Sequence, residues 1–120
     1  MILGALEAGG TKMVCAVGNE KGEIIKKIII PTETPDITVQ KLIDFFLEEK
    51  IEALGIGCFG PIDPNKNSKT YGYITSTPKL PWRNCNIVGA FKDVLNIPIG
   101  FDTDVNAAAL GEYTWGALKG

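Results

Sequence analysis

The first thirty residues contain three short apolar segments, and the loops between them are too short to hold a helical crossover. These segments are residues 2–7, 13–18 and 23–30. Gly9 and Gly10 join the first two segments, and Gly22 lies in the next loop, where glycine suits the positive φ that tight hairpin turns often require. Strands joined by short loops must be antiparallel, so we predict a three-stranded meander.

The next part of the chain alternates between helical and strand patterns. In 34–50 the apolar residues recur at spacings of three and one, with Thr34 as the predicted N-cap and Pro35 as the first helical residue. The further predicted elements are a strand at 52–57, a helix at 86–96, a strand at 97–102 and a helix that begins at 104. A meander followed by this alternation predicts an α/β fold, with a mixed five-stranded sheet, parallel later strands and helices on its faces.

Composition narrows the class of protein. The chain has 120 residues, 45% of them hydrophobic, which is enough for one domain. Its net charge is −2 and it lacks a basic block, so we expect no nucleic-acid partner. Its apolar runs are too short to span a bilayer, and no signal peptide is evident, so we expect a cytoplasmic protein without membrane contact.

The reactive residue types are few. Cys15, Cys58 and Cys85 are odd in number and widely spaced, which fits neither a disulfide framework nor a zinc knuckle, so we interpret them as reduced structural thiols. The sequence has no histidine, which excludes His-based acid–base catalysis and His-ligated zinc within these residues. Proton transfer here would have to use a carboxylate or a less common group.

Two glycine patterns match nucleotide-binding motifs only in part. Gly55, Gly57 and Gly60 satisfy GxGxxG after a predicted strand, but the prolines that follow cannot open the helix of a dinucleotide site. The segment 4–11 is similar to a P-loop, yet its lysine, Lys12, comes after the threonine and the context is a hairpin. We therefore predict neither a Rossmann site nor a P-loop.

The Gly9-Gly10 turn suggests an anion site. Adjacent backbone N–H groups in a tight turn bind anions, and Thr11 and Lys12 add a hydroxyl and a positive charge. Glu7 would be repelled by a phosphate unless a divalent cation lay between them, directly or through water. The alternative is an ordinary hairpin turn with a surface lysine.

A second candidate group is FDTD, at the end of the last predicted strand. Alternation places Asp102 and Asp104 on one side of that strand's carboxyl end, where ligands of open α/β sheets gather. Asp104 could accept a proton from a hydroxyl during phosphoryl transfer, or it could only cap the following helix, which is worth about 1 kcal/mol.

The long stretch 59–82 has no clear periodicity, and its prolines and aromatic residues favour an ordered binding loop over a flexible decorative one. We interpret Lys66, Lys69 and Lys79 as solvated surface charges, and the alternative is a role in steering a phosphorylated product. Trp82 and Trp115 are interpreted as packing anchors rather than sugar platforms.

Four segments together carry a resemblance to a known family: GALEAGGTK, CFGPID, TPKLPW and DTDVNAAALGE. In this order they resemble the N-terminal domain of the ROK sugar kinases, within the actin-like, ribonuclease-H-like ATPase superfamily, and most of all its fructokinase branch. The resemblance implies a ribonuclease-H-like fold and ATP-dependent phosphorylation of a hexose, most simply fructose to fructose 6-phosphate.

The resemblance also implies residue roles. It makes Asp104 the general base and Glu7 an indirect Mg²⁺ contact. The implied first phosphate loop is Gly9, Gly10, Thr11 and Lys12; the implied sugar neighbours are Gly60, Gly72, Thr103 and Asn106. The expected cofactor is ATP with Mg²⁺, and the expected partners are the sugar and, in the full-length protein, a second copy forming a homodimer.

The sequence departs from the family pattern at two site positions and in length. Many members have Asp where this chain has Glu7 and Asn where it has Thr103. We expect residues 1–120 to be the N-terminal domain alone, with the second domain and its structural Zn²⁺ site missing, and therefore to be inactive in isolation. The alternatives are a sugar-sensing regulator and a scaffold that keeps the fold without ligands.

Overall fold

The computed structural model describes residues 2–19, 21, 23–77 and 79–103. The first half contains β1 (Ile2–Ala8), β2 (Lys12–Asn19), β3 (Ile24–Pro31), α1 (Pro35–Glu49) and β4 (Ala53–Cys58). The second half contains β5 (Tyr73–Ile74), a 3-10 helix (Leu80–Trp82), β6 (Cys85–Asn86), α2 (Ile87–Leu95) and β7 (Ile99–Asp102). The predicted helix from 104 onward lies outside the described residues.

The five longer strands form one mixed sheet in the order β3-β2-β1-β4-β7. β1 pairs antiparallel with β2, and β2 with β3, which confirms the predicted meander. β4 pairs in parallel with both β1 and β7, as expected for strands reached through helical crossovers. The predicted five-stranded α/β arrangement is therefore confirmed.

The helices complete a core against the central strands. All six residues of β4 are buried, and Phe46 of α1 is fully buried. Phe46 stacks edge-on against Phe91 of α2, with ring centroids 6.3 Å apart. A Cβ on Gly4 would lie 3.1 Å from Phe46 and 2.6 Å from Ile51, so this glycine lets α1 and the segment after it approach β1 closely.

The start of α1 differs from its prediction in one detail. Thr34 occupies the N-cap position and Pro35 begins the helix, but the Thr34 side chain makes no capping hydrogen bond. The buried Thr38 instead accepts a hydrogen bond from the Glu33 backbone N–H at 2.9 Å. At the other end, Lys50 adopts a left-handed conformation with φ 55°, which closes the helix.

The stretch 59–82 is tied together by local hydrogen bonds. Ser68 and Thr70 donate their hydroxyls to the Asp63 carboxylate, and the Asn65 backbone N–H donates to it at 3.1 Å. These hydrogen bonds, from Ser68 first, hold the pKa of Asp63 below its usual value. The segment is therefore ordered, as its composition predicts.

The last two described elements begin and end close to their predicted bounds. Asn86 caps α2 by accepting a hydrogen bond from the Gly89 N–H at 2.8 Å. Asn96, with φ 49°, ends the helix, and β7 begins two residues later than predicted, at Ile99. Within the described ranges, no helix combines the length and the apolar character needed to cross a membrane.

Candidate functional site

The register of the sheet aligns the carboxyl ends of its three parallel strands. Glu7 of β1 pairs with Gly57 of β4, and Gly57 pairs with Asp102 of β7. The segments that leave these strands are the β1–β2 turn, the start of the 59–82 stretch and Thr103. Three of the four regions that the sequence singles out therefore begin at one edge of the sheet, where α/β proteins bind ligands.

Hydrogen bonds to its backbone carbonyl groups hold the β1–β2 turn in place. The Gly9 N–H donates to the Lys12 carbonyl at 3.0 Å, which closes the turn. Thr32 lies just after β3 and donates its hydroxyl to the Gly9 carbonyl at 2.7 Å and its N–H to the Thr11 carbonyl at 2.9 Å. All three of these carbonyl oxygens thus have partners within the chain.

Two backbone N–H groups of the same turn have no hydrogen-bond partner within the described part of the chain. Neither the Gly10 nor the Thr11 backbone N–H hydrogen-bonds to any residue among those described. The side chains of Glu7, Thr11 and Lys12 are exposed beside them. A turn with satisfied carbonyls and unsatisfied amides presents positive potential, which suits the oxygens of a phosphate chain.

The two glycines of this turn are needed for different reasons. A Cβ on Gly9 would lie 2.7 Å from the Lys12 carbonyl oxygen, so the turn itself excludes a side chain there. A Cβ on Gly10 would meet only the flexible end of Lys79, at 3.4 Å. Neither glycine has a positive φ, so close approach rather than backbone handedness explains Gly9, and the fold alone does not explain Gly10.

The buried side chain of Trp82 packs next to the segment that holds this turn. Trp82 is 1% exposed, and its indole N–H donates to the Glu33 carbonyl at 2.9 Å, one residue from Thr32. Its ring stacks edge-on against Phe59, with centroids 5.9 Å apart. Trp82 is therefore a packing anchor, as predicted, and TPKLPW is the sequence signal for this support.

The predicted sugar neighbours Gly60 and Gly72 occupy different settings. Gly60 follows β4 at the carboxyl edge and precedes a cis peptide bond to Pro61. Gly72 has φ +87°, and a Cβ there would lie 2.6 Å from the Cβ of Val88. Packing thus accounts for Gly72 without a ligand, and a role beside the sugar stays a prediction for both glycines.

The predicted catalytic segment is described only up to Thr103. The Thr103 backbone N–H donates to Asp102 Oδ1 at 2.7 Å, and its hydroxyl lies 3.2 Å from the same oxygen. Asp104 and Asn106, the predicted base and sugar neighbour, lie outside the described residues, and so does Trp115. Their roles stay predictions.

The described part of the chain contains neither a metal-binding cluster nor a reactive thiol among its two buried cysteines. Among the residues that the structure describes, no three acidic, cysteine or histidine side chains converge in a way that could hold a metal ion. A contact between Glu7 and a metal ion stays a prediction. Burial raises the pKa of Cys15 and of Cys58 to about 12, which keeps these thiols protonated and unreactive at neutral pH.

Two known proteins with similar sequences are named fructokinases. The chain is 57% identical over 116 residues to a fructokinase of Lactococcus lactis subsp. cremoris, covering 97% of this chain and 40% of that protein. It is 50% identical over 113 residues to a fructokinase of Streptococcus mutans, covering 92% of this chain and 39% of that protein. The chain therefore spans about 40% of the length of these relatives.

A solved structure with the same fold comes from a ROK family glucokinase of Streptomyces griseus, in complex with glucose and AMPPNP. It is 26% identical, has a TM-score of 0.71 and covers 98% of this chain and 38% of the glucokinase. The fold is thus that of the actin-like ATPase kinases, as the resemblance implied. The sequence pattern of the ROK family matches residues 3–120. The chain belongs to the ROK family.

Proposed function

We propose that this chain is the N-terminal domain of an ATP-dependent sugar kinase that converts fructose to fructose 6-phosphate. The observation that carries the proposal is the β1–β2 turn, which leaves the amides of Gly10 and Thr11 without partners among the described residues. Two relatives that share half or more of their aligned positions with this chain are named fructokinases, which supports fructose as the sugar.

The β1–β2 turn binds the phosphates of ATP. The amides of Gly10 and Thr11 donate to phosphate oxygens, the Thr11 hydroxyl adds a further donor, and Lys12 contributes a positive charge. Mg²⁺, when bound, neutralises charge on the transferred phosphoryl group. Glu7 helps to orient that ion through water, which explains why an exposed acid stands next to a phosphate-binding turn.

Asp104 acts on the sugar. Its carboxylate orients the C6 hydroxyl of fructose and accepts its proton as the hydroxyl oxygen bonds to the γ-phosphorus of ATP. The bond between that phosphorus and the β,γ-bridging oxygen breaks, and ADP leaves. Thr103 and Asn106 flank this carboxylate in the sequence, and with Gly60 and Gly72 they contact the sugar.

The full reaction requires a second domain, which supplies the adenosine site, further sugar contacts and a structural Zn²⁺ site. Kinases of this kind close two domains over their substrates and exclude water. The 120-residue chain alone is therefore expected to show no sugar-dependent ADP release. We further propose that the complete protein is a cytoplasmic homodimer that binds neither nucleic acid nor membranes.

The sugar-sensing regulator is not favoured. A sensor has no need of a phosphate-binding turn, and the relatives at 50% and 57% identity are enzymes by name. A scaffold without ligands is disfavoured by the same turn, whose open amides the fold itself does not use.

The test is ADP release by the complete protein that contains this domain, with Mg-ATP and a panel of fructose, glucose, mannose and N-acetylated hexoses. We expect fructose-dependent turnover that falls by at least about a hundredfold in Asp104→Asn, because a positioned general base contributes 10²–10⁴ to the rate. The matched control is Asp93→Asn, an exposed acid on α2, which should turn over like the wild type. Folded, metal-replete protein without turnover on any sugar would overturn the proposal.

A further inference from the structure

Lys79 lies against the β1–β2 turn. Its Cε is 3.4 Å from the place that a Cβ on Gly10 would occupy, and its ammonium nitrogen is bonded directly to that carbon. In the sequence, Lys79 is one of three lysines of the 59–82 stretch that look alike as solvated charges. The fold separates it from Lys66 and Lys69 by bringing it to the turn.

The backbone that carries Lys79 is fixed. The Lys79 carbonyl accepts a hydrogen bond from the Trp82 N–H at 2.9 Å, and the Lys79 N–H donates to the hydroxyl of Thr77 at 3.3 Å. Thr77 is 1% exposed, and its carbonyl accepts two hydrogen bonds from the Arg83 guanidinium, at 3.1 and 3.3 Å. Two buried side chains, Thr77 and Trp82, therefore flank an exposed lysine.

The charge of Lys79 is not used by the fold. The ion pairs among the described residues join Lys26 to Glu49 and Lys41 to Glu33, and neither includes Lys79. Its side chain also makes no hydrogen bond to another residue in those ranges. The Lys79 ammonium group has no partner among the described residues, and neither do the nearby amides of Gly10 and Thr11. Positively charged and N–H groups that lie together without partners indicate that they bind the same external anion.

We propose that Lys79 is a phosphate-binding residue that contacts the β- and γ-phosphates of ATP beside the β1–β2 turn. This inference rests on the proposed kinase function and adds a second cation to the same site. It also accounts for Gly10, since a Cβ there would lie 3.4 Å from Lys79 Cε, in contact with the side chain that binds the phosphates. The Lys79 ammonium group binds the negatively charged phosphates and takes no part in proton transfer.

Direct binding to the complete protein, measured by calorimetry, tests the proposal. We expect Lys79→Gln to raise the Kd for Mg-AMPPNP by at least about tenfold, because the variant loses a charge-assisted hydrogen bond to the phosphates. The Kd for AMP, which lacks the β- and γ-phosphates, should not change. Lys79→Arg should restore most of the AMPPNP affinity, and the loss in Lys79→Gln should shrink as salt is added.

The matched control is Lys69→Gln, an exposed lysine of the same stretch, which should bind AMPPNP like the wild type. If Lys79→Gln also binds AMPPNP like the wild type, or loses AMP affinity equally, the proposal is wrong. Failure of the wild type to bind AMPPNP would also overturn it. Because binding does not depend on sugar turnover, AMPPNP affinity that depends on Lys79 in a protein inactive on every sugar would contradict only the kinase proposal.

Discussion

The two hairpin turns of the meander differ in how they satisfy their backbone donors. In the β2–β3 turn the Asn19 side chain accepts hydrogen bonds from the backbone N–H groups of Lys21 and Glu23, at 3.0 and 3.2 Å. In the β1–β2 turn, Gly10 and Thr11 donate to no residue in the described part of the chain. In one turn a side chain accepts hydrogen bonds from two amides, and in the other two amides have no partner among the described residues.

This difference separates a connecting turn from a binding turn. Asn and Asp commonly fold back onto the amides that follow them, which stabilises a loop and removes its affinity for anions. The first turn has no such side chain, and Thr32 holds it only through its carbonyl groups. A turn that is anchored through its carbonyls and open at its amides is preorganised for an anion.

The largest effect is expected from Gly9→Ala. A Cβ at this position would lie 2.7 Å from the backbone carbonyl oxygen of Lys12, so the turn must distort. We expect the free energy of unfolding of the 120-residue chain to fall by about 1–3 kcal/mol in urea titrations. AMPPNP affinity of the complete protein should fall with it; an unchanged unfolding midpoint would show that the turn geometry is wrong.

Gly10→Ala should separate binding from stability. The added Cβ meets only the end of Lys79, at 3.4 Å, so the free energy of unfolding should stay within about 0.5 kcal/mol of the wild type. In the complete protein we expect the Kd for Mg-AMPPNP to rise roughly tenfold, the equivalent of about one charged hydrogen bond. A variant that is destabilised like Gly9→Ala, with normal affinity, would remove the distinction between the two glycines.

Thr32→Val tests the anchoring of the first turn. It removes the hydroxyl that donates to the Gly9 carbonyl at 2.7 Å, which should lower the free energy of unfolding by about 1 kcal/mol. A less rigid turn should also weaken AMPPNP binding severalfold. Thr75→Val is the control, since it loses a comparable hydroxyl contact to the Pro61 carbonyl at 3.1 Å and should leave AMPPNP affinity unchanged.

The smallest effect is expected from Asn19→Ala in the second turn. Losing the two exposed hydrogen bonds from Asn19 should lower the free energy of unfolding by about 0.5–1 kcal/mol, measured by urea titration. AMPPNP affinity should not change, because this turn lies at the opposite end of β2 from Lys12. A loss of affinity would mean that the two turns are coupled through the sheet.

Local sequence patterns predicted most of the fold. The three strands of the meander, α1, β4, α2 and β7 are confirmed with bounds shifted by one or two residues, because periodicity and turn residues report directly on local structure. Thr34 illustrates the limit: its position as N-cap is confirmed, but its side chain makes no capping hydrogen bond, and Thr38 accepts one from the Glu33 N–H outside the helix. Which partner a polar group finds depends on packing that the local pattern does not contain.

The candidate site was predictable only in part. Gly9, Gly10, Thr11 and Lys12 stand together in the sequence, so their turn could be recognised without a structure. The support from Thr32, Glu33 and Trp82, and the approach of Lys79 to Gly10, join segments up to about seventy residues apart in the chain. Patterns among neighbouring residues do not predict contacts between such distant segments. The three lysines of the 59–82 stretch therefore cannot be distinguished from the sequence, and only the folded structure shows which of them lies beside the turn.

The sequence by itself determined the strands, the helices, the glycine turn and the family, because each depends on neighbouring residue types or on an ordered set of local motifs. Only the tertiary structure decided that the ends of β1, β4 and β7 share one edge, that Gly9 serves the turn while Gly10 does not, and that Lys79 lies beside them. The physical reason is that burial of Trp82 and hydrogen bonding of Thr32 fix distant segments against one another, and long-range packing sets those distances.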